Sequence, residues 1–280
     1  QTVTGGTSPY IQLTAGNKRG SFLLDYGTTQ SSLSRDVVQS GAEGGDIAID
    51  NLPLPSFPSG RFKVAKYWIA DQPPGGQIGI IGTDFLSLLT ADFSFRSGHG
   101  DVVLSAEPCD PDVLRKRGMI AARQRGFFTS DLRKLGPATP NVPVLFLDIG
   151  GVSVPAQIDT GYDDRNIPPS IDINETLYEK LVSAGIPLTL EGEGTVATCG
   201  GVTTNEVYAA PQTRISLKTD GGREIRQISG ASLIRKIVNG CGGIADMQKP
   251  TAQLGASIIS GLGSVVFDAR SELVWVASGG

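Results

Sequence analysis

Two short segments of the chain place an aspartate directly after an apolar run and just before a glycine. Residues 22–28 read Phe-Leu-Leu-Asp-Tyr-Gly-Thr, and residues 157–162 read Gln-Ile-Asp-Thr-Gly-Tyr. The apolar run predicts a strand, and the glycine allows a sharp backbone turn just past the carboxylate. A carboxylate at the end of a buried strand is costly unless it is paired or hydrogen-bonded. We therefore expect Asp25 and Asp159 to lie face to face.

Two carboxylates a few ångströms apart have a defined chemistry. They cannot both ionise readily, so they share one proton. The ionised member can act as a general base on a water molecule, while the protonated member donates to the carbonyl under attack. Such a pair predicts hydrolysis that needs no metal and no organic cofactor.

The elements that would position these aspartates occur twice along the chain. Strands at 144–149 and 152–158 form a predicted hairpin that ends at Asp159, as strands at 10–13 and 21–24 do for Asp25. The order strand, Asp-x-Gly, short helix, Ile-Ile and strand is found in both halves, with the Ile-Ile pairs at 80–81 and 258–259. A repeat of this size predicts two similar lobes related by a pseudo-twofold axis. The 37 glycines and 17 prolines favour many short strands, hence an all-β fold.

The domain organisation follows from this repeat. We predict an N-terminal lobe at 1–106, a connector at 107–143 and a C-terminal lobe at 144–280. Seven basic residues fall between Arg115 and Lys134 in the connector, which we interpret as partly helical around 113–123. A solvated linker packed across the lobes is the favoured interpretation, and a docking site for an acidic partner is the alternative.

Composition excludes several classes of function. The net charge is −4 and the pI is about 5.1, which argues against nucleic acid as the main partner. No apolar run reaches the roughly eighteen residues that a membrane span needs, so we expect no membrane span. We also expect no signal peptide in the sequence, and its start at Gln1 is compatible with a processed or trimmed N-terminus.

The scarcity of histidine and cysteine excludes two further kinds of site. The only histidine is His99, and no CxxC pair is present, so a zinc site lacks ligands and a Ser-His-Asp or Cys-His catalytic set is disfavoured. The cysteines are Cys109, Cys199 and Cys241. Cys199 and Cys241 could form a disulfide, which would point to an exported protein, or all three could be buried thiols.

In these motifs the chain resembles the pepsin-like aspartic peptidases. Each lobe of that family carries an apolar strand ending in Asp-Thr/Ser-Gly-Thr/Ser and, later, an apolar-apolar-Gly element. Residues 80–82, Ile-Ile-Gly, match that element in the first half, and residues 258–260, Ile-Ile-Ser, match it in the second with serine in place of glycine. The spacing in the first half is closer to the compact retropepsin-like subunit, and the spacing in the second is closer to pepsin.

The resemblance implies a two-lobed all-β fold and an aspartic endopeptidase. The substrate would be an extended peptide or protein in the cleft between the lobes. The enzyme would be a monomer without metal or other cofactor, secreted or periplasmic. Asp25 and Asp159 would be catalytic. The residues that would support the active loops are Gly27, Thr28, Thr160 and Gly161.

Two positions depart from the family pattern. Tyr26 stands where the family has a Thr or Ser whose hydroxyl locks the two active loops together, and Thr160 keeps that feature in the second lobe only. Tyr162 stands where the family has a hydroxyl that bonds the outer oxygen of the aspartate, a role that Thr28 retains for Asp25. We expect Tyr26 and Tyr162 to contact substrate instead.

The family covers its cleft with a hairpin from the first lobe. The matching region is the proline-rich stretch at 51–60, whose prolines cannot lie in a central strand. Phe57 is the aromatic residue that would close on substrate, but an ordinary surface loop is the slightly favoured interpretation of this stretch.

Two other functions remain open. The first is a catalytically silent protein of the same fold that binds peptide or protein, which Tyr26 and Tyr162 favour and the two retained carboxylates oppose. The second is a glycoside hydrolase, which also uses paired carboxylates but usually lines its cleft with aromatic residues, and these make up only 6% of this chain. Asp163 and Asp164 are interpreted as solvated turn residues.

Overall fold

A computed structural model describes most of the chain. The described residues are 2–3, 8–15, 18–34, 37, 49–50, 63–64, 76–96, 99–136, 139–164, 166–198 and 201–277. Within them the chain is mostly β-sheet, so the predicted all-β class is confirmed.

The strands form three sheets. The strands of the first half are β1 (Thr2–Val3), β2 (Tyr10–Ala15), β3 (Lys18–Leu24), β4 (Ser32–Leu33), β5 (Ile49–Asp50), β6 (Lys63–Val64), β7 (Gln77–Ile81), β8 (Thr90–Arg96) and β9 (His99–Ser105). The later strands are β10 (Met119–Arg123), β11 (Val144–Ile149), β12 (Val152–Ile158), β13 (Ser170–Asn174), β14 (Thr189–Thr198), β15 (Gly201–Ala209), β16 (Ile215–Lys218), β17 (Glu224–Ile228), β18 (Ser232–Lys236), β19 (Ala252–Leu254), β20 (Ser264–Asp268) and β21 (Leu273–Ala277).

The helices of the described residues are short. They are α1 (Thr83–Leu86), α2 (Pro111–Lys116), α3 (Glu175–Ser183) and α4 (Ala256–Gly261), with single 3-10 turns at Leu132–Lys134 and Ile244–Asp246. The longest of these helices, α3, begins directly after Asn174. The Asn174 side chain accepts a hydrogen bond from the Leu177 amide at 3.0 Å and so caps its first turn. Among the described residues, no helix combines the length and the apolar character needed to cross a membrane.

The same strand arrangement positions each aspartate. In the first half, β3 ends next to Asp25 and pairs in parallel with β7, which pairs antiparallel with β4. In the second half, β12 ends next to Asp159 and pairs in parallel with β19, which pairs antiparallel with β13. Because β3 and β12 each lie between two neighbouring strands, their ends are buried and side-chain directions there are fixed.

A third sheet, which we call the central sheet, joins the two halves. Its strand order is β1-β9-β8-β20-β21-β10. Its centre is the antiparallel pair β8 and β20, one strand from each half, with Phe93 opposite Val265. The strand order is symmetric about this pair, so the predicted repeat has a counterpart in the topology. Phe93, Val265 and Phe267 are buried on this sheet and belong to the main hydrophobic core.

The predicted connector at 107–143 contributes a strand to the central sheet. The expected helix around 113–123 ends at Lys116, and residues 119–123 form β10, an edge strand of the central sheet with Ile120 opposite Val276. Several of the basic side chains pair with acids of the chain itself, such as Arg117 with Asp92 and Lys134 with Glu272, both at 2.6 Å. These pairings disfavour the alternative of a docking site for an acidic partner.

Candidate active site

The structure brings Asp25 and Asp159 together. The two side chains are hydrogen-bonded to each other, and each retains part of its surface open to solvent. Each carboxylate also accepts a hydrogen bond from the glycine of its own loop. The Gly27 amide donates to Oδ1 of Asp25 at 2.7 Å, and the Gly161 amide donates to Oδ1 of Asp159 at 2.8 Å.

The two glycines allow the carboxyls to approach. A Cβ at Gly161 would lie 2.5 Å from Oδ2 of Asp25, and a Cβ at Gly27 would overlap the carboxyl carbon of Asp159. Each glycine therefore makes room for the aspartate of the other half. Any side chain at either position would push the pair apart, which is a physical reason for Asp-x-Gly to occur twice.

The surroundings of the pair oppose its ionisation. Burial raises the pKa of Asp25, although hydrogen bonds from Asp159 and from the amides of Gly27, Thr28 and Gly161 act in the opposite direction. Burial raises the pKa of Asp159 well above its usual range, and the negative charge of Asp25 raises it further. Loss of the last proton from the pair is therefore opposed, and the two carboxyls titrate as one unit.

Thr160 connects the two active loops. Its hydroxyl donates to the carbonyl oxygen of Leu24 at 2.6 Å and accepts from the amide of Tyr26 at 3.0 Å. All three groups are buried. The equivalent residue of the first loop is Tyr26, which has no hydroxyl in this place. The hydrogen bonds of Thr160 to the first loop therefore have no counterpart from Tyr26 to the second loop.

Tyr26 is buried in the core, whereas the sequence analysis expected it to contact substrate. Its side chain is 0% exposed and its ring stacks on Phe267, with ring centroids 3.8 Å apart. Phe93 and Phe128 approach it edge-on, at 6.0 and 5.8 Å. The ring fills the core beneath the active loops because a phenol at this position can reach the aromatic side chains of the central sheet.

The hydroxyl of Tyr26 has no hydrogen-bond partner among the described residues. A buried hydroxyl without a partner is costly. We expect Tyr26→Phe to raise the free energy of unfolding by about 1 kcal/mol. Tyr26→Thr, which supplies the hydroxyl that the pepsin-like family has, should lower it by about 3–5 kcal/mol because it leaves a cavity against Phe267. Urea unfolding of the two variants measures both, and a Tyr26→Phe variant less stable than the wild type would contradict this account.

Thr28 and Tyr162 occupy equivalent places in the two loops. The Thr83 amide donates to the carbonyl of Thr28, and the Ala256 amide donates to that of Tyr162, both at 2.9 Å. Thr28 supports Asp25 through its backbone amide, while its hydroxyl accepts from the Gln30 amide at 3.5 Å, so the predicted role of that hydroxyl is not seen. The hydroxyl of Tyr162 pairs with that of Ser170 at 2.8 Å.

The element behind the second loop was misidentified from the sequence. Residues 258–259 lie in α4, and the strand that pairs with the Asp159 strand is β19, followed by Gly255. A glycine therefore follows β19, as Gly82 follows β7 in the first half. A Cβ at Gly255 would overlap the carboxylate of Asp164, much as one at Gly82 would meet the backbone of Gln30 at 2.8 Å.

Two Ser–Asp pairs that the sequence analysis missed anchor the active loops from behind. In the first half, Asp84 on α1 accepts from the amide and the hydroxyl of Ser31, at 3.0 and 2.6 Å. In the second half the residue types are exchanged: Asp164 lies in the loop and accepts from the amide and the hydroxyl of Ser257 on α4. Asp164 is thus a buried bridging residue and not a solvated turn residue. Two features of the sequence could have indicated the second pair. They are an aspartate five positions after Asp159 and a serine two positions after Gly255.

The remaining predicted positions are Phe57 and the three cysteines. Phe57 and the rest of 51–60 lie outside the described residues. Cys241 is disulfide-bonded and Cys109 is a free thiol, so three buried thiols are ruled out, and Cys199 lies outside the described residues. In the described ranges, no three His, Cys, Asp or Glu side chains are grouped as they would be around a metal ion.

Comparison with known proteins gives no match, either to a family model or to a curated protein. The function of this chain therefore has to be inferred from the geometry of the site itself.

Proposed function

We propose that this chain is an aspartic-type endopeptidase of pepsin-like, two-lobed fold, with Asp25 and Asp159 as its catalytic pair. The observation that carries the proposal is the pair itself. Two carboxyls from equivalent loops are hydrogen-bonded to each other, and each is held by the glycine amide of its own loop. The repeated strand arrangement around each loop supports the two-lobed fold.

In the proposed reaction Asp25 is the ionised member of the pair and Asp159 the protonated one. Asp25 takes a proton from a bound water as its oxygen attacks the scissile carbonyl carbon, and Asp159 gives its proton to the carbonyl oxygen. Asp25 then passes its proton to the amide nitrogen as the C–N bond breaks. One hydroxyl of the intermediate returns a proton to Asp159, and the products are a carboxylic acid and an amine. The substrate would lie extended across the cleft between the lobes, with main-chain hydrogen bonds like those of an added strand.

A silent peptide-binding protein is the second candidate. The residue that most favours this candidate in the sequence is Tyr26, because a tyrosine ring between the carboxyls would exclude the water molecule that hydrolysis needs. The ring is instead buried in the aromatic cluster with Phe267 and does not lie between the carboxyls, which supports hydrolysis over binding alone.

The proposal includes a secreted or periplasmic location. The disulfide at Cys241 supports it, because disulfides persist mainly in oxidising compartments.

Cleavage of a denatured protein substrate between pH 2 and pH 8 tests the proposed activity. We expect fragments whose appearance is blocked by a statine-type inhibitor, which mimics the tetrahedral intermediate of this class. Absence of cleavage over the whole range, or cleavage that the inhibitor leaves unchanged, would contradict the proposal.

The stability of the protein should also depend on pH through this pair. Unfolded aspartates titrate near about 3.9, and burial raises the pKa of Asp159 in the folded state. The folded state therefore binds more protons, so this contribution to stability is fully present below the unfolded pKa and is lost as the pH rises through the folded pKa. We expect Asp159→Asn to raise the melting temperature by a few degrees at pH 7 and by much less at pH 3. Scanning calorimetry at both pH values measures this, and an equal shift at both would contradict it.

A further inference from the structure

The loop after Asp159 carries a tyrosine whose hydroxyl binds side chains of β13. Tyr162 lies three positions after Asp159, and its hydroxyl is 2.8 Å from that of Ser170 on β13. The same hydroxyl is hydrogen-bonded to the carboxylate of Asp172 on that strand. A phenol has one proton to donate, so Tyr162 donates to Asp172 and accepts from Ser170. We call these two hydrogen bonds the Tyr162 tether, because they tie the active loop to β13.

The strand end of the Tyr162 tether is well fixed. Ser170 is 0% exposed and Asp172 is 2% exposed. Asp172 forms a 3.2 Å ion pair with Lys236 on β18, which pairs in parallel with β13. Burial raises the pKa of Tyr162 and the negative charge of Asp172 raises it further, so the hydroxyl remains a donor at any ordinary pH. The tether thus connects the active loop to two neighbouring strands of the sheet.

The first loop is held at the equivalent place in a different way. The carbonyl of Thr28 accepts from both the amide and the hydroxyl of Thr83, at 2.9 and 3.2 Å. The carbonyl of Tyr162 accepts from the amide of Ala256 at 2.9 Å, and alanine has no hydroxyl to add. The second loop therefore lacks one hydrogen bond of the first, and the Tyr162 tether supplies a substitute.

A movement of Tyr162 would reach the carboxyl pair directly. The Tyr162 amide donates to the carbonyl of Asp159 at 3.3 Å, so residues 159–162 form one closed turn. Within this turn the Gly161 amide donates to the carboxylate of Asp159, and a Cβ at Gly161 would lie 2.5 Å from Oδ2 of Asp25. The position of Tyr162 therefore affects how closely the two carboxyls meet.

We propose that Tyr162 is a positioning residue for the hydrolytic reaction, which holds Asp159 against Asp25 through its hydrogen bonds to Ser170 and Asp172. The inference rests on the proposed peptidase function. It gives Tyr162 a role other than the substrate contact expected from the sequence, because the side chain acts through the loop that carries Asp159.

Tyr162→Phe tests this role, since it removes the hydroxyl and keeps the ring. We expect kcat to fall by about tenfold or more, because a misplacement of about 1 Å can cost about a hundredfold in rate. KM should stay within about twofold, since the groups that bind substrate are unchanged. The matched control is Tyr208→Phe, which removes a buried phenol that donates to Glu206 at 2.8 Å on β15. Its kcat should stay within about twofold of the wild type.

A double-mutant cycle shows whether the effect depends on β13. Ser170→Ala removes the donor to Tyr162 and should lower kcat by about threefold. If the tether acts as a unit, adding Ser170→Ala to Tyr162→Phe should cost little more than Tyr162→Phe alone. Urea unfolding verifies that each variant is folded in the assay. Losses that simply multiply, or a Tyr162→Phe enzyme with the kcat of the wild type, would overturn the inference.

A carboxyl titration separates this inference from the proposed function, because it needs no substrate. With ¹³C-labelled aspartate, we expect the upper pKa of the pair to fall by about 0.5 or more in Tyr162→Phe, since carboxyls that move apart interact less. Tyr208→Phe should leave it unchanged. If the wild type cleaves nothing but this shift is seen, the peptidase assignment fails and the positioning role stands. If the wild type cleaves and Tyr162→Phe alters neither kcat nor the titration, the positioning role fails and the peptidase assignment stands.

Discussion

Asp25→Asn should abolish peptide hydrolysis, with kcat/KM lowered by about 10³–10⁴-fold. Asparagine keeps the shape of the side chain and can still accept the hydrogen bond from the Gly27 amide, but it cannot take a proton from water. The loss should appear in kcat more than in KM, because the carboxylate acts in the transition state. Initial rates on a fluorogenic peptide and on a denatured protein measure the effect.

The control for this variant is Asp101→Asn, which removes an exposed carboxylate of the same type from β9. It should leave the rate within about twofold of wild type. Asp159→Asn should be as inactive as Asp25→Asn, since each carboxyl makes a different proton transfer in the reaction. Activity that survives in either catalytic variant at more than about a tenth of the wild-type rate would show that another group performs the hydrolysis.

Thr160→Val should lower the free energy of unfolding by about 2–4 kcal/mol and the rate by at least about tenfold. Valine has nearly the same shape but leaves the amide of Tyr26 and the carbonyl of Leu24 without their shared partner in a buried place. Because Tyr26 offers no hydroxyl in return, no equivalent bond compensates for the loss. The loops that carry the two aspartates would then be free to shift, and a shift of about 1 Å is enough to cost about a hundredfold in rate.

Thr160→Ser separates the hydroxyl from the shape of the side chain. It keeps the group that bonds to both partners, so its stability should stay within about 1 kcal/mol of the wild type and most of its activity should remain. Urea unfolding and peptide cleavage measured on the two variants give the comparison. Equal effects of valine and serine would mean that the bond through Thr160 is unimportant for both properties.

The sequence was informative where the physical signal is local. An apolar run, an aspartate and a glycine specify a strand that ends in a sharp turn, and both copies fold in this way. The glycines were the decisive residues, because only they allow the opposite carboxyl to approach. The pairing of Asp25 with Asp159 could therefore be predicted from the sequence alone.

Errors arose where a short apolar run has two interpretations. The Ile-Ile pair at 258–259 is more apolar than Gln253-Leu254, yet the first lies in α4 and the second in β19. Periodicity cannot separate a strand from a helix over so few residues. The helix predicted around 113–123 was wrong beyond Lys116 for a related reason, since the strand at 119–123 is recognisable only through its partner β21, about 150 residues further along the chain.

The roles of other residues could not be predicted from the sequence, because they depend on the direction in which the side chain points and on what lies there. Tyr26 was expected to face substrate, but its ring points into the core, and nothing in its neighbours along the chain reveals that Phe267 lies beneath it. Asp172 is a second such residue, because neither its burial nor its 3.2 Å ion pair with Lys236 on the neighbouring strand β18 is visible from its neighbours along the chain.

The most direct test of the account is a carboxyl titration of the pair by NMR, with ¹³C-labelled aspartate and with Asp25→Asn and Asp159→Asn used to assign the signals. We predict two coupled steps in the wild type, one of them well above the normal range of an aspartate, and a lower pKa for Asp159 once the charge of Asp25 is removed. Two independent titrations near the normal value, each unaffected by substitution of the other residue, would contradict the claim that these two carboxyls hold one proton between them.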